Sequence, residues 1–202
     1  MPVSFKYRAV FVHIPKTGGQ SVSAMLGIPH GSSTHLYAEG FTHMTLPMIR
    51  EHRKVDGYYV FTFVRNPYGK ILSEYGWRMH NIRSRVYNEP TKIKMSFPVY
   101  METLLHRWDK LTHVWREKAH VVPQVNFIED GMDVFRFERF EEGCEAIRQR
   151  LGMNRETRHV NAGRYNAKHT DRTIEITRKL YGEDFKAFGY DIDDYHDFTG
   201  GK

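Results

Sequence analysis

Two periods of hydrophobicity run along this chain, and the places where one gives way to the other mark its elements. Residues 10–14 form a short apolar run, the pattern of a buried strand. Pro15-Lys16-Thr17-Gly18-Gly19 breaks the run, and 20–26 reads as a helix ending at Gly27. A longer apolar and β-branched run over 58–64 predicts a central strand buried on both faces. Arg65-Asn66-Pro67 stops it, and a helix over 68–79 places Ile71, Leu72 and Tyr75 on one side.

The remaining pattern is more varied. Thr45 is a good N-cap, Pro47 suits a first turn, and Met48, Ile49 and His52 share a face of the helix that follows. Apolar residues from Met101 to Trp115 recur at helical spacing, which predicts a packing helix over 97–118. The segment from His120 reads as a short strand interrupted by Pro123. Apolar and charged residues alternate over 134–140, the mark of a strand with one wet face. A helix over 141–151 passes through Cys144, Ile147 and Leu151, turns Cys144 to the core and closes at Gly152. Thr170 or Asp171 caps a last helix through Ile174, Thr177, Leu180 and Tyr181. Residues 28–40, 79–95 and 155–169 lack a period and read as loops, and 191–202 as a loose acidic tail. Strands that alternate with helices predict an α/β domain: a P-loop-like three-layer arrangement, with a central parallel sheet of about four or five strands and helices on both faces.

Composition narrows this picture. The 202 residues suit a single domain, 1–202, with a sizeable core, and 40% apolar content is that of a globular chain. No stretch approaches the about 20 apolar residues of a membrane span, and no signal-peptide core precedes the first strand. Cys144 is the sole cysteine, so a reducing compartment is expected. The net charge of +6 favours anionic partners without choosing among nucleic acid, acidic glycans and phosphate-bearing ligands.

The candidate chemistry starts at the first glycine-rich turn. A strand, a Gly-Gly turn and a helix start can present several backbone N–H groups to one anion. Gly18 and Gly19 allow close approach, Thr17 and Ser21 offer hydroxyls, Gln20 a further N–H, and Lys16 a full charge. Lys16 precedes the glycines, unlike the lysine of the nucleotide P-loop. Arg65 at the end of the second strand, with Ser73 on the helix beyond it, can grip a second phosphate. His43 lies just before a helix start, whose positive end keeps an imidazole able to accept a proton. His35 is the alternative base. The basic stretch 79–95 reads either as a wall that draws in an anionic acceptor or as a solvated loop.

HIPKTGGQS resembles the 5′-phosphosulfate loop of sulfotransferases that use PAPS (3′-phosphoadenosine 5′-phosphosulfate), in the carbohydrate branch that includes heparan and chondroitin sulfotransferases. FTFVRNPYGKILSEY resembles the same family's 3′-phosphate motif, with Arg65 and Ser73 at the matching positions. The resemblance implies Lys16, Thr17, Gly18, Gly19, Gln20, Ser21, Arg65 and Ser73 as the PAPS-binding set, and Lys16 and His43 as catalytic. It implies in-line sulfuryl transfer to an acceptor hydroxyl, expected to be a glycan's, with no metal and no nucleic acid partner. It also makes His120 and Gln124 candidates on the acceptor side and Arg164 and Lys168 candidates beside the nucleotide, and it docks Phe185 and Phe188 onto the sheet. Animal members of the family sit in the Golgi behind an anchor, whereas this chain begins almost at the catalytic strand. A trimmed, soluble, cytoplasmic form of bacterial or viral type is therefore expected.

Two other classes remain compatible with the residues. A small-molecule or nucleotide kinase needs one such cradle, but it usually adds an acidic residue for magnesium near the end of a neighbouring strand. Here Arg65 and Asn66 stand there, a cation and no carboxylate. A non-catalytic binder of nucleic acid or acidic glycan could keep a degenerate loop.

Overall fold

The computed structural model describes residues 3–28, 42–81, 95–109, 119–154 and 167–199. The loops expected around 28–40, 79–95 and 155–169 fall mostly outside these residues, as do 110–118, His35 and Arg164. Contacts divide the chain into two compact units. Among described residues the first holds 3–28, 42–65, 119–120 and 124–154, and the second 66–81, 95–109, 121–123 and 167–199.

The first unit is built on a four-stranded sheet of β1 (Val3–Ser4), β2 (Ala9–Phe11), β3 (Tyr59–Val64) and β4 (Asp133–Arg136), in that spatial order. The pairs β2–β3 and β3–β4 are parallel and only β1–β2 is antiparallel, so the α/β class with a largely parallel sheet holds. β3 is central, as its apolar run requires. Ala9, Phe11, Phe61 and Phe63 share a core with Val22 and Met25 of α1 (Gly19–Met25) and with Phe140, Cys144 and Ile147 of α5 (Phe140–Leu151). Each fully buried Phe there contributes roughly 1.5–3 kcal/mol. Cys144 has 0% exposure, in the core position its helical spacing predicts. α5 closes at Gly152 in the left-handed region, and Met153 N–H donates to the Arg148 carbonyl at 2.9 Å. Across the sheet, the Tyr59 hydroxyl donates to Asp133 at 2.6 Å; burial first, and then that carboxylate, push the phenol's pKa well up.

Four expectations shift in this unit. The first strand covers Ala9–Phe11 rather than 10–14, because Ile14 N–H turns back to the Val12 carbonyl at 3.1 Å and bends the chain. The strand expected from His120 is a turn followed by a 3-10 helix, Gln124–Phe127: Pro123 has no N–H to give a ladder. The strand expected over 134–140 is only Asp133–Arg136, and a 3-10 turn, Phe137–Arg139, leads into α5. Phe137 and Phe140 are three apart, which suits a helical turn as well as an extended chain. On α2 (Leu46–His52) the buried face is Leu46 and Ile49, with His52 exposed.

The second unit is helical. α3 (Pro67–Asn81) starts where Asn66 Oδ1 accepts the Tyr68 N–H at 2.9 Å and Pro67 fills the first turn. It packs with α4 (Phe97–His106) and α6 (Asp171–Phe188) around Tyr68, Leu72, Met101 and Tyr181. Thr170 caps α6 through a capping box with Thr173, and Gly189 ends it at φ 61°. The helix breaks at Tyr181, whose hydroxyl donates to the Val121 carbonyl at 2.9 Å. Phe185 packs on the Tyr68 ring at 5.0 Å, inside this helical core. Residues 190–199 bond back to this core at several points. Ile192 O accepts the Tyr68 hydroxyl at 2.7 Å, Asp193 pairs with Arg178 at 2.6 Å, and the short helix α7 (His196–Thr199) carries Phe198, whose carbonyl accepts His169 N–H at 2.9 Å. Among the described residues no helix is long and apolar enough to cross a membrane.

His169 is 4% exposed, with Nε2–H donating to the Tyr68 carbonyl at 3.1 Å. Burial lowers its pKa to about 4, against a smaller raising effect of that bond. The folded ring thus stays neutral where the unfolded ring takes a proton. Stability from this group is complete above about pH 6.5 and falls as pH drops towards 4, by up to about 3 kcal/mol. Urea denaturation at pH 7 and pH 5 should show roughly half of that loss in the wild type, and a His169→Gln variant should show a flatter profile.

Candidate active site

The glycine-rich turn is held by its carbonyl groups. Val12 O accepts the Thr62 hydroxyl at 2.7 Å, His13 O accepts His43 Nδ1–H at 2.8 Å, and Ile14 O accepts the Thr17 hydroxyl at 2.8 Å. Lys16 O accepts Arg65 Nη1–H at 3.2 Å. In a trans peptide the carbonyl and the next N–H point opposite ways, so tying Lys16 O to Arg65 aims the Thr17 N–H away from that guanidinium. Lys16 itself is left-handed at φ 69°, which costs a residue with a Cβ roughly 1–2 kcal/mol. Gly18 follows at φ 83° as the N-cap of α1, and its carbonyl accepts the N–H groups of Ser21 and Val22. The N–H groups of Gly19 and Gln20 come ahead of those bonds, where a helix has no carbonyl of its own to offer.

Both glycines are required by what lies beside them. A Cβ on Gly18 would come 2.7 Å from Phe140 Cε2 and 3.2 Å from Phe137 Cε2. A Cβ on Gly19 would come 1.8 Å from Nε2 of His13. His13 cannot swing aside freely: its ring is 7% exposed and stacks on Phe11 at 5.2 Å.

Arg65, at the end of β3, is fixed at both its backbone and its head group. Its N–H donates to Gln124 Oε1 at 2.8 Å, and its carbonyl accepts Gln124 Nε2–H at 2.8 Å. The guanidinium carbon lies 4.3 Å from the centre of the Phe137 ring. Gln124 is fully buried.

Three histidine rings meet beside the loop. His43 lies 4.5 Å from His13 and 4.9 Å from His120, ring centre to ring centre. A carbonyl can only accept, so the bond to His13 O fixes the proton on His43 Nδ1 and leaves Nε2 as the lone-pair nitrogen of the neutral ring. No group of three metal-ligating side chains occurs among the described residues.

Of the residues named from sequence, Lys16, Thr17, Gly18, Gly19, Gln20, Ser21, His43 and Arg65 all lie in the first unit. The Thr17 hydroxyl gives its proton to Ile14 O, so it is not the spare donor that the sequence suggests. Ser21 is buried and Gln20 exposed. Ser73 is a buried residue of α3 and belongs to the second unit, as does the exposed Lys168. Gln124 grips the backbone of Arg65, a role its sequence position does not announce. His13 and Phe137 also escape the sequence reading: an apolar run and an alternating run supply no signal of their own for a packing partner of glycine or guanidinium.

Gly19→Ala should destabilise the protein by about 1–3 kcal/mol, read from urea denaturation. Adding His13→Ala should restore most of it. A Gly19→Ala protein as stable as the wild type would contradict the packing described.

A family model described as the sulfotransferase family matches residues 2–191. No curated protein and no solved structure matches the chain. The match takes in the glycine-rich turn and β3 with its Arg65, and it spans nearly the whole sequence: the chain belongs to the sulfotransferase family.

Proposed function

We propose that this protein moves a sulfuryl group from PAPS to a hydroxyl of a carbohydrate acceptor by in-line displacement, with His43 as general base. Family membership makes the chain a transferase, and PAPS is the donor that the family implies. The observation that carries the reading is the bond from Arg65 Nη1 to Lys16 O, which joins the two cationic motifs in one place. A donor with a phosphosulfate at one end and a phosphate at the other needs two anion grips, and these are the two motifs available.

In this reading Lys16 and the N–H groups of Thr17, Gly18, Gly19 and Gln20 hold the phosphosulfate, with Ser21 beside them. Lys16 also offsets the charge that builds on the bridging oxygen as the S–O bond breaks. Arg65 takes the 3′-phosphate, and Ser73 is assigned with it on the strength of the sequence motif. His43 Nε2 takes the proton of the attacking hydroxyl, since Nδ1 already carries one. The sulfuryl group bears less charge than a phosphoryl group, and a cation ends β3 where a magnesium-binding carboxylate would serve a kinase. Both points support transfer without a metal. The carbohydrate acceptor rests on the resemblance of HIPKTGGQS to the carbohydrate branch. The family match takes in segments of both units, which supports reading 1–202 as one catalytic domain.

The desulfated product PAP (3′-phosphoadenosine 5′-phosphate), without magnesium, should raise the melting temperature. At a hundredfold excess over its Kd the gain is about 2.7 kcal/mol. Stabilisation by ATP with magnesium and none by PAP would point to a kinase instead. With labelled PAPS and a panel of glycans, His43→Ala should lower kcat by roughly 10²–10⁴-fold at unchanged PAP affinity. Lys16→Ala should lower it by roughly 10²–10³-fold. Full turnover in either variant removes that residue from its role.

A further inference from the structure

The bond between Arg65 and Lys16 is only as well placed as Arg65 itself, and β3 alone does not place it. The β3–β4 register ends at Val64, opposite Arg136, so Arg65 is the first residue beyond the paired strand. Such a residue would ordinarily have its N–H and carbonyl solvated and its backbone free to fray. Gln124 prevents that with two bonds of 2.8 Å, one to each backbone group, from a side chain with 0% exposure. A primary amide offers an acceptor and a donor side by side in one plane, as a peptide does, which suits it to bond both backbone groups of Arg65. Phe137 completes the arrangement under the head group: its ring lies 4.3 Å below the guanidinium carbon, and the same residue comes within 3.2 Å of the position of a Cβ on Gly18.

We infer that Gln124, seconded by Phe137, is a positioning residue for donor binding: it holds Arg65 in the orientation that meets the 3′-phosphate before any ligand arrives. This rests on the reading of Arg65 given under the proposed function. It moves Gln124 from the acceptor side, where the sequence resemblance had put it, to the donor side. Gln124 acts through Arg65 and touches no reacting atom. Its loss should therefore weaken PAP and PAPS binding while leaving the chemical step of the bound complex nearly intact. Pre-ordering is the reason: a guanidinium already in place loses no freedom on binding, whereas a frayed one must be ordered by the ligand.

The test is a double-mutant cycle on the full chain, with PAP affinity read by calorimetry. Gln124→Met keeps the side chain's length and removes both bonds. It should weaken PAP by roughly tenfold in the wild-type background, about the value of one or two such hydrogen bonds. In the Arg65→Ala background it should change affinity by less than about twofold, because the group it positions is gone. In turnover, KM for PAPS should rise while kcat stays within about twofold. Phe137→Leu provides a second arm that leaves the buried amide in place, and it should show the same loss only when Arg65 is present. Amide hydrogen exchange at Arg65 in the free protein should quicken in Gln124→Met. Unchanged PAP affinity in both variants would overturn the positioning role while leaving the sulfotransferase reading intact. Equal losses with and without Arg65 would reassign Gln124 to general stability. Absence of PAP binding in the wild type would remove the underlying reading, and this one with it.

Discussion

A backbone that is to face an anion must first dispose of its carbonyl groups. Between Val12 and Lys16 this is done by side chains: Thr62, His43, Thr17 and Arg65 each bond one carbonyl of the turn. Peptide oxygens bound in this way cannot swing towards a phosphate and repel it, and the N–H groups on their far sides are correspondingly committed. The same bonds have a second effect. They originate on β3, at its end, ahead of α2 and within the turn itself, so they tie the candidate base and the candidate 3′-phosphate ligand to one short run of backbone. The left-handed strain at Lys16 is tolerable in this setting because its neighbours leave the chain little alternative.

Electrostatics sharpens that picture. The Arg65 guanidinium bonds the backbone of a second cationic residue, Lys16, and packs on the Phe137 ring. His43 is held in one tautomer by the His13 carbonyl, which fixes its orientation.

Much of this was legible in the chain because burial writes itself into hydrophobic runs. β3 reads as central since both its faces are covered and no polar alternation survives; α5 reads cleanly because Cys144 and Ile147 keep helical spacing and Gly152 ends it. Lys16, Arg65 and His43 stand out in the sequence as residue types beside turns, and the structure has all three in the first unit. What could not be read is everything that depends on a partner far along the sequence. The Gln124 amide looks like any surface glutamine until Arg65 is seen between its two bonds. His13 looks like a polar interruption in a strand until Gly19 is seen against its ring. The bonds of Ile192 and Asp193 are equally hidden, because the Tyr68 hydroxyl and Arg178 that make them lie on helices whose pairing no local pattern records.

The solitary thiol offers a use beyond packing. Cys144 lies at full burial between α5 and the sheet, and the sequence has no other cysteine to compete with it. An alkylating reagent can reach it only when α5 lifts away from β3, so the speed of labelling is a clock for the opening of the first unit. The helical second unit carries no sulfhydryl and stays silent in such a measurement, which lets the breathing of one be followed apart from that of the other.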